Sequence, residues 1–280
     1  MPFQLYADES YPGRTVVMAA NVAEAKDWAA LTDEWNIVLA QPPAIRGPLK
    51  MKDADKLRNS FLGFDSEQRE AKLRALARVV NRHVKRTILS LVDVPGHLSS
   101  AWAKLPYPLS SPIFWAYNHS IIGTAFELWE MGVRERFTAI FDKGNIDAKN
   151  AREYYPALVE LFAEEQPQIA SILPIDPIFE TDDDVVALQS AELIAGGARI
   201  DMDAATHRFD FIIQEFTAKD FELSAWSRIL WSEQVLDHMR GITSIPAKWC
   251  RTIDLLRPDS PRFLQKCRDL FPHRFKDFSY

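Results

Sequence analysis

FQLYADESYPG, residues 3–13, begins as a β-strand and ends in two adjacent carboxylates followed by a turn. Successive residues of a strand face opposite sides, so the alternating apolar positions of this stretch share one face. The pattern therefore predicts a first strand that carries Asp8 and Glu9 at its C-terminal end.

The next stretch, RTVVMAANV, predicts a second strand, and the short link between the two indicates an antiparallel hairpin. Further strands are predicted in KRTILSLVDV and RFTAIFDKGN, and helical patterns separate them, while LKMKDADKL predicts a short strand or a bend. SPIFWAYNHSIIGTAFELWEMG is apolar on nearly every face, as expected of a central buried helix. Strands that alternate with helices indicate an α/β or α+β sheet core.

Beyond Arg199 the pattern is helical throughout. We therefore expect a sheet domain over residues 1–200 and a helical extension over residues 201–280 that packs on it.

Composition narrows the functional classes. The 280 residues are 47% hydrophobic, which is enough for a large core, and the only cysteines, Cys250 and Cys267, form no paired motif. A reduced, cytoplasmic setting is expected, with no signal peptide and no membrane span, since no apolar run reaches about 20 residues. The net charge of −6 argues against a generic, salt-driven grip on nucleic acid.

Three carboxylates occupy comparable places. Asp8 ends the first strand, Asp142 ends a later strand, and Glu192 lies among apolar neighbours in ALQSAELIAG, with Gln189 one turn earlier on the same side. Converging carboxylates repel one another unless a cation neutralises them, and hard oxygen ligands favour Mg²⁺ or Mn²⁺. Such a site activates water and stabilises the leaving oxygen in phosphodiester cleavage.

YADES, LKMK, IFDKG and ALQSAELIAGGAR, taken together and in this order, resemble the domain-of-unknown-function 3800 family over roughly residues 3–200. Members of that family typically show Tyr-x-Asp-Glu-Ser-Gly near the start and a later Gln-x-Ala-Asp-x-Ile-Ala, and they are regarded as ribonuclease-H-like. This chain departs from the pattern at Tyr11 (usually Gly), at Glu192 (usually Asp) and at Pro48, where some members carry an acid.

The resemblance implies a ribonuclease-H-like mixed sheet flanked by helices, with an acidic metal site for Mg²⁺ or Mn²⁺ and a nuclease activity. It implies that Asp8, Asp142 and Glu192 bind the metal and that Lys50 or Lys52 lies near the site, where it contacts a phosphate or orients a carboxylate. It further implies that Gln189 holds the helix carboxylate or the substrate.

Several alternatives stay open in the sequence. The cluster of basic residues between positions 69 and 86 is either a solvated helix face or a track for a phosphate backbone. Asp182, Asp183 and Asp184 precede a helix and are explained by capping, with Asp184 as an additional ligand in the other interpretation. His119 is either a hydrogen-bonded core residue or a general base.

Two rival functions also remain. Aspartyl-phosphate chemistry at ADESY lacks its second aspartate, because Ser10 stands there. The other rival is a non-catalytic interaction protein of a mobile element or a defence system, which keeps the fold with a weakened site and contacts a protein partner through its C-terminal helices.

Overall fold

The computed structural model describes residues 2–11, 13–99, 101–144, 147–183, 185–217, 223–224 and 261–275. Asp184, Cys250 and most of the predicted helical extension therefore lie outside the described residues. The strands are β1 (Phe3–Ser10), β2 (Thr15–Glu24), β3 (Arg86–Asp93), β4 (Thr138–Asp142), β5 (Ile178–Glu180) and β6 (Leu223–Ser224). The helices are α1 (Ala25–Ala40), α2 (Met51–Lys56), α3 (Ser66–His83), α4 (Val94–Ser99), α5 (Pro112–Glu130), α6 (Ala148–Glu165), α7 (Pro167–Ala170), α8 (Val186–Ala204), α9 (Asp210–Thr217) and α10 (Pro261–Leu270).

The strands form one mixed sheet in the order β5-β4-β1-β2-β3-β6. The predicted hairpin is confirmed, because β1 and β2 pair antiparallel from Phe3 opposite Glu24 to Ser10 opposite Val17. β3 continues the antiparallel half, whereas β4 runs parallel to β1, and β5 runs parallel to β4. The predicted α/β class, a mixed sheet flanked by helices, is confirmed.

Helices cover the two faces of the sheet. On one face, Asn21 of β2 donates a hydrogen bond to Ser190 of α8 at 2.9 Å. On the other, Ser90 of β3 lies 3.2 Å from Ser120 of α5, oxygen to oxygen. Asn21 pairs with Thr87, three positions before Ser90, so the two contacts lie on opposite faces of the sheet. The predicted buried helix is confirmed as α5, because most of its residues are buried.

The basic cluster is partly solvated and partly engaged in contacts within the protein. Its members Arg69, Lys72, Arg74, Arg78, Arg82, Lys85 and Arg86 all have partners within the protein. Lys72, for example, is buried and donates to the carbonyl oxygens of Val38 and Gln41 at 2.7 Å each. Arg78 pairs with Glu215 of α9, and Arg82 pairs with Glu34 of α1. Several of these charges hold α3 against its neighbours, while Arg78 and Arg82 keep 60% and 58% of their side chains exposed, so the cluster is a solvated face in part; the phosphate track stays a prediction.

Two local predictions were wrong. LKMKDADKL contains helix α2 rather than a strand or bend, and its last turn closes at Leu57 in a left-handed conformation with φ 48°. The region beyond Arg199 is not entirely helical, because β6 adds a two-residue strand parallel to β3 at the edge of the sheet. The division at residue 200 stays a prediction, and α8 runs across it to Ala204. Among the described residues, no helix has both the length and the apolar character needed to cross a bilayer.

Candidate functional site

Asp8 and Asp142 end neighbouring parallel strands at the same edge of the sheet. Ala7 of β1 is paired with Phe141 of β4, so the next position on each strand is one of the two aspartates. Both project to the face that α8 covers, since Ser10, of the same parity as Asp8, accepts a hydrogen bond from Arg199 of α8 at 2.8 Å. The hairpin and the parallel β4 thus bring together two carboxylates that lie far apart in the sequence.

Glu192 reaches this edge from α8. Its Oε1 accepts a hydrogen bond from the backbone N–H of Met51 at 2.8 Å, which joins α8 to the start of α2. Burial raises the pKa of Glu192 to about 7, while the Met51 N–H and the charge of Lys50 act in the opposite direction. Glu192 is therefore a carboxyl group whose ionisation is costly in the protein alone.

Asp8 lies at the centre of the negative charge. Burial raises the pKa of Asp8 well above its usual range, and the charges of Glu192, Glu9, Asp142 and Asp182 raise it further, in that order. The carboxylates of β1, β4, α8 and the segment before α8 consequently interact as one electrostatic cluster, which we call the carboxylate cluster: Asp8, Glu9, Asp142, Asp182 and Glu192.

Asp182 belongs to this cluster, which the sequence interpretation missed. It is 5% exposed, its backbone N–H donates to Asp142 Oδ1 at 3.0 Å, and its carboxylate forms an ion pair with Lys50. Burial raises the pKa of Asp182, the Lys50 ammonium lowers it, and Asp142 raises it again. The predicted capping role is wrong for the described aspartates, because the N-cap of α8 is Val185 and no side chain caps the helix.

Lys50 is the basic residue at the cluster. Burial disfavours its charge, but the hydrogen bond to Asp182 and the negative charges of Asp182, Glu192 and Asp8 outweigh burial and raise the pKa of Lys50. Lys52, the other predicted lysine, is an exposed residue of α2, and its role stays a prediction. Lys50 thus supplies one positive charge among several carboxylates.

Gln189 ties together the two segments that carry Lys50 and Asp182. Its Oε1 accepts from the backbone N–H of Leu49 at 3.0 Å and from the Trp35 indole at 3.3 Å. Its amide nitrogen donates to the Asp182 carbonyl oxygen at 3.1 Å. These three bonds give Gln189 a positioning role, while the predicted contact with substrate stays a prediction.

Gly144 leaves room for the acids at the end of β4. Its N–H donates to Asp142 Oδ2 at 2.8 Å. A Cβ at this position would lie 2.7 Å from Asp142 Oδ2 and 2.9 Å from Glu9 Oε1, closer than ordinary contact permits. Successive residues of a strand face opposite sides, so Glu9 starts from the opposite face of β1 to Asp8. The two carboxylates therefore approach the cluster from different sides.

The donor chemistry of the cluster suits a hard divalent cation. Carboxylate oxygens are the ligands that Mg²⁺ and Mn²⁺ prefer, and a bound cation would offset the burial and the repulsion that raise the pKa values of Asp8 and Glu192. In the part of the chain that the structure describes, however, no three His, Cys, Asp or Glu side chains already form a metal-binding arrangement. The donor atoms are of the type that such an ion prefers, and the assignment of Asp8, Asp142 and Glu192 as its ligands stays a prediction.

His119 lies apart from the cluster. It belongs to α5, on the opposite face of the sheet from α8, and is 4% exposed beside the Trp115 ring. Burial lowers the pKa of His119 to about 4. His119 is therefore a core residue, and the alternative of a general base is wrong for this site.

Comparisons with known proteins find similarity among solved structures only. No family model matches the chain, and no curated protein sequence matches it. Among solved structures, the chain is similar to the ribonuclease H2 from Pyrococcus horikoshii OT3, with 12% sequence identity and a TM-score of 0.38. The alignment covers 95% of this chain and 99% of the other.

Proposed function

We propose that this protein is a Mg²⁺- or Mn²⁺-dependent nuclease that hydrolyses phosphodiester bonds of nucleic acid. The observation that carries the proposal is the placement of Asp8 and Asp142 side by side at parallel strand ends, facing Glu192. The resemblance to the domain-of-unknown-function 3800 family agrees with the same three residues.

Each residue of the cluster has a distinct task in this proposal. Asp8, Asp142 and Glu192 bind the divalent ion, which supplies water activation and charge stabilisation at the leaving oxygen. Asp142 is held for this task by two backbone N–H groups, from Gly144 at 2.8 Å and Asp182 at 3.0 Å. Preset ligands of this kind lose little conformational freedom when the ion binds.

In this proposal Lys50 contacts both the acids and the substrate. Its side chain is 30% exposed while it pairs with the buried Asp182, so the ammonium group lies at the boundary between the cluster and solvent. There it balances Asp182 and is within the region that a scissile phosphate would enter. Lys52, exposed on α2, would contact the nucleic-acid backbone on the outer side.

Two observations favour a second candidate function. Lys50 already pairs with Asp182, and within the described ranges no three acidic side chains are arranged to hold a metal. An interaction protein with a self-compensated acidic site, bound to a protein partner through its C-terminal region, would have these properties.

Metal-binding calorimetry separates the two functions. Mn²⁺ and Mg²⁺ are titrated into the wild type, into Asp142→Asn and into Asp183→Asn, a control that removes the same charge from an exposed residue next to the cluster. The nuclease proposal expects binding by the wild type and the control and at least a tenfold weaker binding by Asp142→Asn, because second-sphere effects alone reach that size.

The same proteins are then incubated with mixed single- and double-stranded DNA and RNA in the presence of each metal. Cleavage that disappears with Asp142→Asn and persists with Asp183→Asn supports the nuclease. Wild-type protein that binds neither ion at millimolar concentration would refute the metal site and leave the interaction protein as the better explanation.

A further inference from the structure

A cavity of about 390 Å³ lies outside the carboxylate cluster, between the first turns of α3 and the segment that leads into α9. Its polar lining is rich in basic side chains and comprises Arg69, Glu70, Arg74, His207, Arg208 and Asp210. The volume falls within the range of small-ligand sites, which is roughly 300–1,000 Å³.

Arg69 is the unusual member of this lining. Its residue is 9% exposed, and its Nε is buried without a hydrogen-bond partner. The guanidinium lies over the Phe209 ring, with its central carbon 5.1 Å from the ring centroid, and no ion pair of Arg69 is present in the described ranges. A guanidinium stays charged in proteins, so burying this positive charge without an anion costs desolvation free energy.

The neighbouring basic side chains, unlike Arg69, each have an acidic partner. Arg74 pairs with Glu70 at 2.8 Å and with Glu215 at 3.2 Å, and Arg208 pairs with Asp55. His207 lies against Asp210, with Nδ1 and Oδ2 in contact. Glu70 of the lining, together with the nearby Asp55 and Asp201, favours the charge of Arg69 from a distance, but no described acid forms an ion pair with its guanidinium.

Burial and the nearby Arg208 both oppose the charge of Arg69. Burial lowers the pKa of this guanidinium, and the positive charge of Arg208 lowers it further, while the negative charges of Asp55, Glu70 and Asp201 offset part of this effect. Arg208 itself contacts the same Phe209 ring, with its central carbon 5.5 Å from the centroid. Two guanidinium groups therefore approach one aromatic ring and face one open cavity, and only Arg208 has an ion-pair partner, Asp55.

We infer that the cavity between Arg69 and Arg208 binds a phosphate group. Guanidinium N–H groups form a planar fork that matches phosphate oxygens, and charge-assisted hydrogen bonds of this type are short and strong. The open cavity admits a phosphate together with an attached group. A free phosphate compound and the backbone of a nucleic acid share this chemistry.

The inferred site is separate from the carboxylate cluster but shares a helix with it. The backbone N–H of Met51, at the start of α2, donates to Glu192, whereas Asp55 near the end of α2 pairs with Arg208. Because Met51 and Asp55 are four residues apart, a phosphate held at Arg69 and Arg208 would lie about one helical turn along α2 from the Met51–Glu192 hydrogen bond. The inferred phosphate site is independent of the nuclease proposal, because it rests on the residues that line the cavity.

Isothermal calorimetry with inorganic phosphate tests the site. All titrations are made at constant ionic strength with EDTA present, so that divalent metal at the carboxylate cluster does not contribute. Wild type is compared with Arg69→Met and Arg208→Met, and with Arg78→Met as a control that removes the same charge from an exposed residue of α3 paired with Glu215. Circular dichroism and thermal unfolding of each variant show whether it is folded.

We expect Arg69→Met and Arg208→Met each to weaken phosphate binding by roughly tenfold or more, as the loss of a charged hydrogen bond implies, and Arg78→Met to leave it unchanged. The Arg208→Met variant keeps the test decisive if loss of the buried Arg69 side chain impairs folding. Equal affinity in wild type and both cavity variants would overturn the inference, as would a weaker affinity for phosphate than for citrate.

A short single-stranded oligonucleotide titrated into the same proteins separates the sources of the phosphate. Binding of free phosphate that both cavity variants lose assigns the site to a small phosphate compound. Oligonucleotide binding that these variants lose, with no binding of free phosphate, assigns it to a nucleic-acid backbone. If the wild type binds neither phosphate nor the oligonucleotide at ligand concentrations up to about 10 mM, the inferred site is refuted.

Discussion

Acidification should destabilise the protein through His119, and the size of the effect follows from its burial. Burial lowers the pKa of His119 from 6.5 to about 4, so the unfolded chain binds a proton at a pH where the folded chain does not. Stability is therefore fully present above pH 6.5 and is lost as the pH falls toward 4. Each pKa unit corresponds to about 1.4 kcal/mol, so the full loss is about 3 kcal/mol, of which about 2 kcal/mol is reached by pH 5.

Urea unfolding at pH 7.5 and pH 5 measures this loss, and His119→Phe isolates the contribution of the one side chain. Phenylalanine does not titrate and suits a site beside Trp115, and the buried Nδ1 of His119 has no hydrogen-bond partner to lose. Other titrating groups, including the buried His97, are present in both proteins and cancel in the difference. Wild type should lose about 2 kcal/mol more than the variant between these pH values. Equal losses in the two proteins would show that His119 is not held neutral and refute the reasoning.

Three further substitutions test the carboxylate cluster. Asp8→Asn should raise the free energy of unfolding of the metal-free protein at pH 8, because burial and neighbouring acids disfavour the Asp8 carboxylate; urea unfolding in EDTA that shows a loss would contradict this. Gly144→Ala should cost only about 0.5 kcal/mol, since Gly144 is exposed and the atoms that must move, Asp142 Oδ2 and Glu9 Oε1, are carboxylate ends; a loss above about 2 kcal/mol in urea unfolding would argue against the described geometry. Lys50→Met should destabilise the metal-free fold by about 1–3 kcal/mol by leaving Asp182 buried without its cation, and thermal unfolding that does not change would contradict that pairing.

Much of the fold could be predicted because its signals are local. The alternation in residues 3–13 and the short turn that follows are sufficient to predict the β1–β2 hairpin, and the apolar surroundings of Glu192 indicate a buried helix. Asp8 and Asp142 could be recognised as candidates because each ends a predicted strand. The strand pairing that makes them neighbours is not local, so their convergence needed the resemblance or the structure.

The missed features depend on distant partners. Asp182 joins the cluster because β5 lies beside β4, and a strand of only three residues leaves a weak pattern in the sequence. Arg82 and Arg78 pair with Glu34 and Glu215, which are 48 and 137 residues away, so a helical wheel of α3 alone suggests a free basic face. Lys50 and Lys52 differ in their surroundings because α2 begins between them, at Met51, where a strand or bend was expected.

The way the acids are held bears on what the cluster is for. Asp142 and Glu192 are oriented mainly by backbone N–H groups of Gly144, Asp182 and Met51, which fix a carboxylate without cancelling its full charge. Where this protein uses charge for packing, as along α3, arginines and glutamates meet as ion pairs instead. In the cluster, the raised pKa values of Asp8, Asp182 and Glu192 show that Lys50 does not compensate the acids completely. Acids that are fixed in place yet left with uncompensated charge lower the stability of the fold. A divalent cation that binds to them would remove this destabilisation, which is the arrangement expected of a metal-binding site.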